Sequence, residues 1–212
     1  MKTEGQASIH IGDSAPEFVV ALARMNPHLQ SLSFTIYSPI PGANERAGDL
    51  ENKAGTEIAR DFLRHDHASN EQWQVAACDL TVEMITQKIA SLRPTLALGL
   101  ESKCTLQNTS IKYIPMMDFK PSPSQDHLAL LKGFLEQLAC RGIIVDSGRS
   151  YHFYGFDLLD QTEWIHFMGA CLLVPWSDSR WIGHSLIAGG GDLRISATNR
   201  KPKLPSVVQV LT

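Results

Sequence analysis

Residues 145–155 have the sequence VDSGRSYHFYG, in which a glycine-centred turn separates two apolar segments. Strand-like residues at both ends of the segment 142–156 predict a β-hairpin around this turn. Gly148 permits a tight turn with exposed backbone N–H groups, which can hold an anion. Arg149 adds a planar fork of donors that suits phosphate, and His152 can donate a further hydrogen bond. The alternative is an ordinary hairpin whose histidine packs against an aromatic neighbour.

The composition limits the class of protein. The length of 212 residues suits one α/β domain, and a hydrophobic content of 43% is enough for a proper core. Charged residues make up only 19%, which excludes a disordered acidic or basic protein. Because the net charge is −3, contact with nucleic acid requires a local basic patch. We expect a single domain over 1–212, with 1–105 as its N-terminal portion and 106–212 carrying the motifs.

The cysteines and the apolar runs indicate the environment of the protein. Four cysteines lie far apart without a C-x-x-C pair, which indicates buried reduced thiols rather than disulfides or a zinc site. They are Cys78, Cys104, Cys140 and Cys171. The N-terminus lacks an apolar signal core, and no run reaches the ~18 apolar residues of a membrane helix. We therefore expect a cytoplasmic protein without a membrane partner.

The hydrophobic periodicity predicts alternating helices and strands. Helices are expected at 13–26, 51–64, 80–89, 125–140, 161–173 and 181–188. Strands are expected at 32–37, 96–100, 110–117, 142–145, 151–156, 193–195 and 207–211. This order predicts an α/β (α+β) fold, with a mixed β-sheet flanked by helices that pack mainly on one face.

Two acidic residues follow the pattern of a catalytic site. Asp118 ends an apolar strand, where a rigid sheet can hold an acid at the mouth of a cleft. Asp178 lies in a polar loop, and Arg194 follows on a short strand. Two carboxylates that face a phosphate-binding hairpin suit metal-assisted phosphoryl transfer, in which oxygen ligands hold Mg²⁺ or Mn²⁺. The alternative for Asp118 is a plain strand end whose ion-pair partner is Lys120.

The order of these motifs resembles that of the archaeo-eukaryotic primase superfamily. An acid at a strand end and a helix precede a strand–Ser-Gly-x-x-x-His–strand hairpin, and a helix, a second acid and Leu193-Arg-Ile-Ser follow. Primase-polymerases and the polymerase domains of bacterial end-joining ligases are the most similar forms. The resemblance covers roughly residues 110–200. It implies a primase-like catalytic core that acts in DNA replication or repair.

The resemblance also implies a role for each matching residue. Asp118 corresponds to the first metal-binding motif, and Asp178 to the third, with Asp192 as the competitor. The residues that would bind nucleotide phosphates are Ser147, Gly148, Arg149, His152 and Arg194. The implied activity is that of a metal-dependent nucleotidyltransferase, a DNA or RNA primase-polymerase. Its implied partners are a nucleotide and DNA or RNA, and its cofactor is Mg²⁺ or Mn²⁺.

Lys120 departs from the family pattern, because it stands where a second aspartate is expected. In a two-metal mechanism paired carboxylates fix two ions ~3.5–4 Å apart, and an ammonium adds positive charge there. The alternative function is therefore a catalytically inactive relative that serves as a nucleotide-binding or assembly subunit beside another protein. The sequence leaves open whether the protein is active.

Two further groups carry weaker expectations. His65-Asp66-His67 contains the side chains of a zinc or iron site, which would make the protein a metal hydrolase. Two histidines at i and i+2 do not share a helix face, so a solvated helix end is the competing interpretation. The basic residues at 199–203 are expected to form a solvated tail, although they are the densest basic patch available.

Overall fold

The computed structural model describes residues 8–39 and 71–212. Helices and strands alternate along these residues, so the predicted α/β class is confirmed. The helices are α1 (Ala15–Met25), α2 (Val82–Ser91), α3 (Gln125–Gln137), α4 (Gln161–Leu172) and α5 (Ser179–Ala188). The strands are β1 (Leu29–Tyr37), β2 (Glu71–Ala76), β3 (Ala97–Leu106), β4 (Ile111–Tyr113), β5 (Met116–Phe119), β6 (Gly142–Asp146), β7 (Tyr151–Gly155), β8 (Asp192–Arg194) and β9 (Ser206–Leu211). The predicted helix at 51–64 and the His65-Asp66-His67 group lie outside the described residues.

The strands of the described residues form two sheets, and all their pairs are antiparallel. The first sheet has the order β2-β1-β3-β4, and β8 also pairs with β3. The second sheet has the order β5-β7-β6-β9. The strands expected in one mixed sheet are thus divided between two antiparallel sheets. Short turns, such as the one between β6 and β7, join neighbouring strands in opposite directions.

The predicted hairpin is present at the centre of the second sheet. In its register Val145 lies opposite His152, and Asp146 lies opposite Tyr151. Gly148 has a φ of 101°, a left-handed conformation that side chains with a Cβ rarely adopt. The Ser147 N–H donates to the Ser150 carbonyl over 3.0 Å and closes the turn. The hairpin therefore depends on glycine at one position.

The chain passes from the first sheet to the second at Ile114 and Pro115. β4 pairs with β3 in the first sheet, and β5 pairs with β7 in the second. The single strand predicted over 110–117 is divided here, because proline has no N–H to donate to a ladder. The Pro115 carbonyl accepts from the Gly155 N–H over 2.7 Å and starts the new pairing. This switch brings Asp118 beside β7.

The two faces of the second sheet pack against different layers. Met117, Phe119 and Phe153 point into a core that they share with α3 and α4. Met116 and Tyr154 point the other way, into the core that contains α1 and the first sheet. Side chains alternate along a strand, so Asp118 and His152 lie on the same face as Met116 and Tyr154. The charged residues therefore lie on the side of the second sheet that faces the first.

Helix ends follow from local capping. At the start of α1 the Ser14 N–H and hydroxyl both donate to the Glu17 carboxylate, over 2.7 and 2.6 Å, as the sequence indicates. The helix predicted to reach Cys140 ends at Gln137 instead. Ala139 has a φ of 52°, which no α-helix continues. A left-handed alanine has no sequence signal, and this explains the error.

The cysteine prediction is wrong at one position. Cys104 and Cys171 are buried and Cys140 is half-buried, but Cys78 is exposed. Cys78 lies in the turn that follows β2, and turn residues face solvent. All four thiols are free. Within the described ranges, no helix combines the length and the apolar character that crossing a membrane requires.

Candidate phosphate and metal site

Asp118 and His152 lie opposite each other on the paired strands β5 and β7. The Asp118 Oδ1 atom lies 3.7 Å from His152 Nε2. The Ser150 hydroxyl donates to the same carboxylate oxygen over 3.2 Å. The His152 side chain is only 2% exposed, whereas that of Asp118 is 24% exposed. The carboxylate is therefore the part of this pair that a ligand can reach.

Asp178 joins the pair through the backbone. Its N–H donates to the Asp118 carbonyl over 2.9 Å, and Ser177 forms an isolated bridge with Phe119. One oxygen of its carboxylate accepts from the N–H groups of Arg180 and Trp181, over 3.0 and 3.1 Å. Asp178 is thus the N-cap of α5, and half of its carboxylate is committed to the helix. We call Asp118, Ser150, His152 and Asp178 the acid–histidine cluster.

Arg194 is buried behind the hairpin, with 3% of its surface exposed. Its guanidinium donates to the carbonyl of Ser147 over 2.5 Å, to that of Lys203 over 3.2 Å, and to that of Ser196. These carbonyls occupy both terminal nitrogens, and Nε has no hydrogen-bond partner within the part of the chain that the structure describes. Arg194 therefore fixes the hairpin to the segment 196–203 and places a buried positive charge behind the hairpin.

The hairpin residues predicted to bind phosphate make contacts within the turn. The Ser147 hydroxyl donates to the Ser150 carbonyl over 2.9 Å, and Ser147 is buried. The Gly148 N–H donates to the Asp146 carboxylate over 2.7 Å. Arg149 is exposed and donates to the Arg200 carbonyl over 3.3 Å. Of these residues Arg149 has the side chain with the most freedom to reach a ligand.

Lys201 is a member of the site that sequence reasoning missed. The segment 199–203 was expected to be a solvated tail, and its residues are exposed except Lys201, which is half-buried. β9 pairs with β6, which places the preceding segment against the hairpin. The Lys203 ammonium contacts the Asp146 carboxylate over 2.5 Å, and Lys201 is half-buried.

The positive charge of Lys201 acts on the acid–histidine cluster. Lys201 lowers the pKa of both Asp118 and His152 through space. Asp118 and Asp178 in turn favour its charged form, although burial lowers the pKa of Lys201. Lys120, two residues after Asp118 in sequence, is exposed. Lys201 is therefore the lysine whose charge bears on the site.

Burial dominates the protonation states of the two central residues. It raises the pKa of Asp118 to about 6, against the opposing effect of Lys201 and with a contribution from Asp178. Burial also lowers the pKa of His152 well below its usual value, and Arg194 and Lys201 add to this effect. His152 is therefore neutral at pH 7. Its Nδ1 atom has no hydrogen-bond partner among the described residues.

Two residues of the first sheet, Tyr37 and Asp192, carry further titratable groups. Burial raises the pKa of Tyr37, at the end of β1, and the charges of Asp192 and Asp118 add to this effect. The Asp192 carboxylate lies against Gly99, at 2.9 Å from the position where a Cβ would stand. The Asp192 carboxylate thus lies against β3 of the first sheet, whereas the backbone N–H of Asp178 is bonded to β5 beside Asp118.

The donor set suits one divalent ion better than two. Residues 8–39 and 71–212 contain no group of three or more His, Cys, Asp or Glu side chains placed to hold a metal. Mg²⁺ in phosphate sites is often held by one or two carboxylates together with the phosphates themselves. Asp118 and Asp178 are the carboxylates that would hold such a single ion. No second group of acids placed for another ion exists among the residues that the structure describes, and the charge of Lys201 would oppose that ion.

A cavity of about 420 Å³ lies elsewhere, against the opposite face of the second sheet. Phe153 and Phe167 line it, with Arg141 and Asp157 among its polar residues. Arg141 donates to Asp157 through Nε over 3.0 Å, so these two charges neutralise each other. None of the predicted site residues lines this cavity.

The fold and the cluster together define a two-sheet α/β protein with an acid–histidine pair between its sheets. The profile of the archaeo-eukaryotic primase 1D-like family matches residues 76–206, which is more than half of the chain. The chain belongs to this family. Neither the curated proteins nor the solved structures include a significant match. The match begins well before residue 110, so α2 and β3 belong to the shared module although no motif indicates it there.

Proposed function

We propose that this primase-like protein binds the phosphates of a nucleotide or of a nucleic-acid end at the acid–histidine cluster. The observation that carries the proposal is the meeting of Asp118, His152 and Asp178 beside the positive charges of Arg194 and Lys201. Phosphate oxygens accept hydrogen bonds from cationic side chains, and a partly buried position strengthens these bonds. Arg149, at the rim, is the exposed cation that would meet the ligand first.

The finer proposal is a metal-dependent nucleotidyltransferase, a DNA or RNA primase-polymerase. Asp118 and Asp178 would hold one Mg²⁺ or Mn²⁺ ion, which neutralises charge on the transferred phosphoryl group when it is bound. The neutral His152 is only 2% exposed, so it would act on the ligand through the Asp118 carboxylate, whose Oδ1 atom lies 3.7 Å from His152 Nε2. The donor set favours binding over rapid turnover, because it offers carboxylates for only one ion.

The competing proposal is a catalytically inactive relative that binds nucleotide as an assembly or sensing subunit. The commitment of one Asp178 oxygen to the cap of α5 favours it, because a metal ligand is then partly engaged. Both proposals share the binding step. They differ in whether a nucleotide is joined to a 3′-hydroxyl.

Thermal unfolding with nucleoside triphosphates tests the binding step. A ligand that binds only the folded state stabilises it by about 2.7 kcal/mol at a hundredfold excess over Kd. For a chain of this size we expect Tm to rise by roughly 5–10 °C. His152→Gln should abolish the rise, and His166→Gln on the exposed face of α4 serves as the control. An unchanged Tm with every triphosphate, with or without Mn²⁺, contradicts the proposal.

Primer extension with Mg²⁺ or Mn²⁺ then separates the two proposals. Extension that is lost in Asp118→Asn but kept in Asp126→Asn supports the nucleotidyltransferase, since Asp126 is an exposed acid on α3. Binding without extension supports the inactive relative. Extension that survives in both Asp118→Asn and His152→Gln shows that the site lies elsewhere.

A further inference from the structure

The family resemblance implies a site with two metal ions, but the residues of this chain do not fit a second ion. Lys120 replaces the second acid of the first motif. Asp178 has one oxygen committed to the N-terminus of α5. The carboxylates of this site therefore do not balance the charge of a second metal ion. A further positive charge must come from a side chain of the protein itself. The structure offers such a cation in Lys201.

The position of Lys201 is fixed by the segment that carries it. The Lys201 N–H donates to the Thr198 hydroxyl over 3.1 Å, and the Thr198 N–H donates to the Lys201 carbonyl over 2.9 Å. On either side, Arg149 holds the Arg200 carbonyl and Arg194 holds the Lys203 carbonyl. The segment is thus tied to the hairpin before and after Lys201.

The side chain of Lys201 completes a charge arrangement around the cluster. Its ammonium acts electrostatically on two acids, Asp118 and Asp178, and on two arginines, Arg149 and Arg194. Counting Lys201 itself, the charges that act on one another here are three cations and two carboxylates. An excess of fixed positive charge attracts phosphate and repels a free divalent ion.

We infer that Lys201 is the built-in cation of this site, so that the protein binds nucleotide phosphates without a divalent ion and admits at most one. This inference rests on the proposed binding of phosphates at the cluster. Lysine is a common phosphate ligand that acts as a point charge, and a half-buried ammonium needs no large rearrangement to meet an anion. Lys201 thus determines which counter-ion accompanies the ligand.

The test compares Lys201, whose charge acts on Asp118 through space, with Lys120, which is near Asp118 only in sequence. Lys201→Met keeps the aliphatic stem and removes the charge, whereas Lys201→Arg keeps the charge. Lys120→Met is the matched control, because Lys120 is exposed. Calorimetric titration with ATP and with inorganic pyrophosphate, in EDTA and in Mn²⁺, gives the affinities. Electron paramagnetic resonance of Mn²⁺ gives metal binding without any ligand, and circular dichroism checks folding.

We expect the affinity of the natural protein for ATP to change by less than about threefold between EDTA and Mn²⁺. Lys201→Met should weaken binding in EDTA by about tenfold or more, and Mn²⁺ should restore most of it. The same variant should bind free Mn²⁺ about tenfold more tightly, because a repelling charge is gone. Lys201→Arg and Lys120→Met should behave like the natural protein.

Each contrary result has a distinct meaning. If the natural protein binds ATP only with Mn²⁺, the proposed function stands and the role of Lys201 is overturned. If Lys201→Met binds ATP in EDTA as the natural protein does, or binds Mn²⁺ no better, the role is also overturned. If the natural protein binds neither ATP nor pyrophosphate under any condition, both the proposed function and this inference are wrong.

Discussion

The backbone N–H of Asp178 donates to the backbone carbonyl of Asp118 over 2.9 Å. The two acids of the site are thus held together by main-chain atoms, and their side chains take no part in that bond. A substitution of either carboxylate leaves the geometry of the other in place. The contributions of the two acids to ligand binding and to stability can therefore be measured separately.

Asp178 has two roles that a pair of substitutions separates. Asp178→Ala removes both the charge and the cap of α5, and we expect it to lower the free energy of unfolding by about 0.5–2 kcal/mol. Asp178→Asn keeps a capping oxygen, so its stability should stay within about 0.5 kcal/mol of the natural protein. Both variants should bind free Mn²⁺ more weakly, because each loses the charge of one carboxylate. Urea unfolding and calorimetry measure the two effects, and equal destabilisation by both variants contradicts the capping role.

Asp118→Asn should stabilise the protein at neutral pH. The pKa of Asp118 is raised to about 6, so the folded state holds its proton more tightly than the unfolded chain does. The stability that this group contributes is present below pH 4 and is lost as the pH rises through 6. We expect Asn to gain about 1–3 kcal/mol over Asp at pH 7.5.

Most of the gain from Asp118→Asn should disappear near pH 4, where the folded acid is protonated and the unfolded acid is about half protonated. Urea unfolding at pH 4 and at pH 7.5 measures it, with Asp126→Asn as an exposed control. A gain that does not depend on pH would mean that burial does not control this carboxyl.

The stability that His152 contributes changes with pH in the opposite sense to that of Asp118. Its pKa in the folded state is lowered well below the usual value, chiefly by burial and then by Arg194 and Lys201. The unfolded chain therefore takes up the proton first as the pH falls. The stability linked to neutral His152 is present above pH 6.5. It is lost as the pH falls from 6.5 towards the pKa of His152 in the folded state.

His152→Gln should consequently remove part of the loss of stability below pH 6.5. Urea unfolding at pH 7.5, 6.5 and 5.5 compares the variant with the natural protein. Histidine NMR gives the folded pKa directly, with the exposed His166 as an internal reference. A His152 signal that titrates at the ordinary value contradicts the buried, neutral state.

Gly148→Ala and Gly133→Ala should change stability in opposite directions. Gly148 has a φ of 101°, and a Cβ there would approach the Lys203 Cβ to 3.0 Å, so we expect a loss of about 1 kcal/mol or more. Gly133 lies on the exposed side of α3 with open space around it, and alanine should stabilise the helix by about 0.5–1 kcal/mol. Thermal unfolding of both variants checks the signs. A neutral Gly148→Ala would show that the turn has another accessible conformation.

Local patterns predicted the parts of the site that lie on one hairpin or at one strand end. The alternation of β7, its glycine turn and the acid after an apolar strand are all visible in short stretches of sequence, and the structure places the predicted Asp118 and His152 beside each other. Ser150 could also have been predicted, because it lies two residues before His152 and its side chain points to the same face of the hairpin. Its bond to Asp118 was missed because Ser147 matched the expected motif as well.

Lys201 could not be predicted in the same way. Its position depends on the pairing of β9 with β6, a contact between distant parts of the chain. The sequence around it is polar and contains proline, which is typical of a solvated loop. The division of strand 110–117 between two sheets is likewise a tertiary effect. Sequence periodicity sets the faces of the elements, whereas the partner of each face is decided by the whole fold.

The passage of the chain through Ile114 and Pro115 limits how far the two sheets can separate. Only these two residues join β4 in the first sheet to β5 in the second. Each residue spans at most about 3.3–3.6 Å, so the link has little slack. The start of β5 is therefore tethered to the first sheet, and Asp118 lies on β5 soon after this link. The acid stays near the first sheet whether or not a ligand is bound.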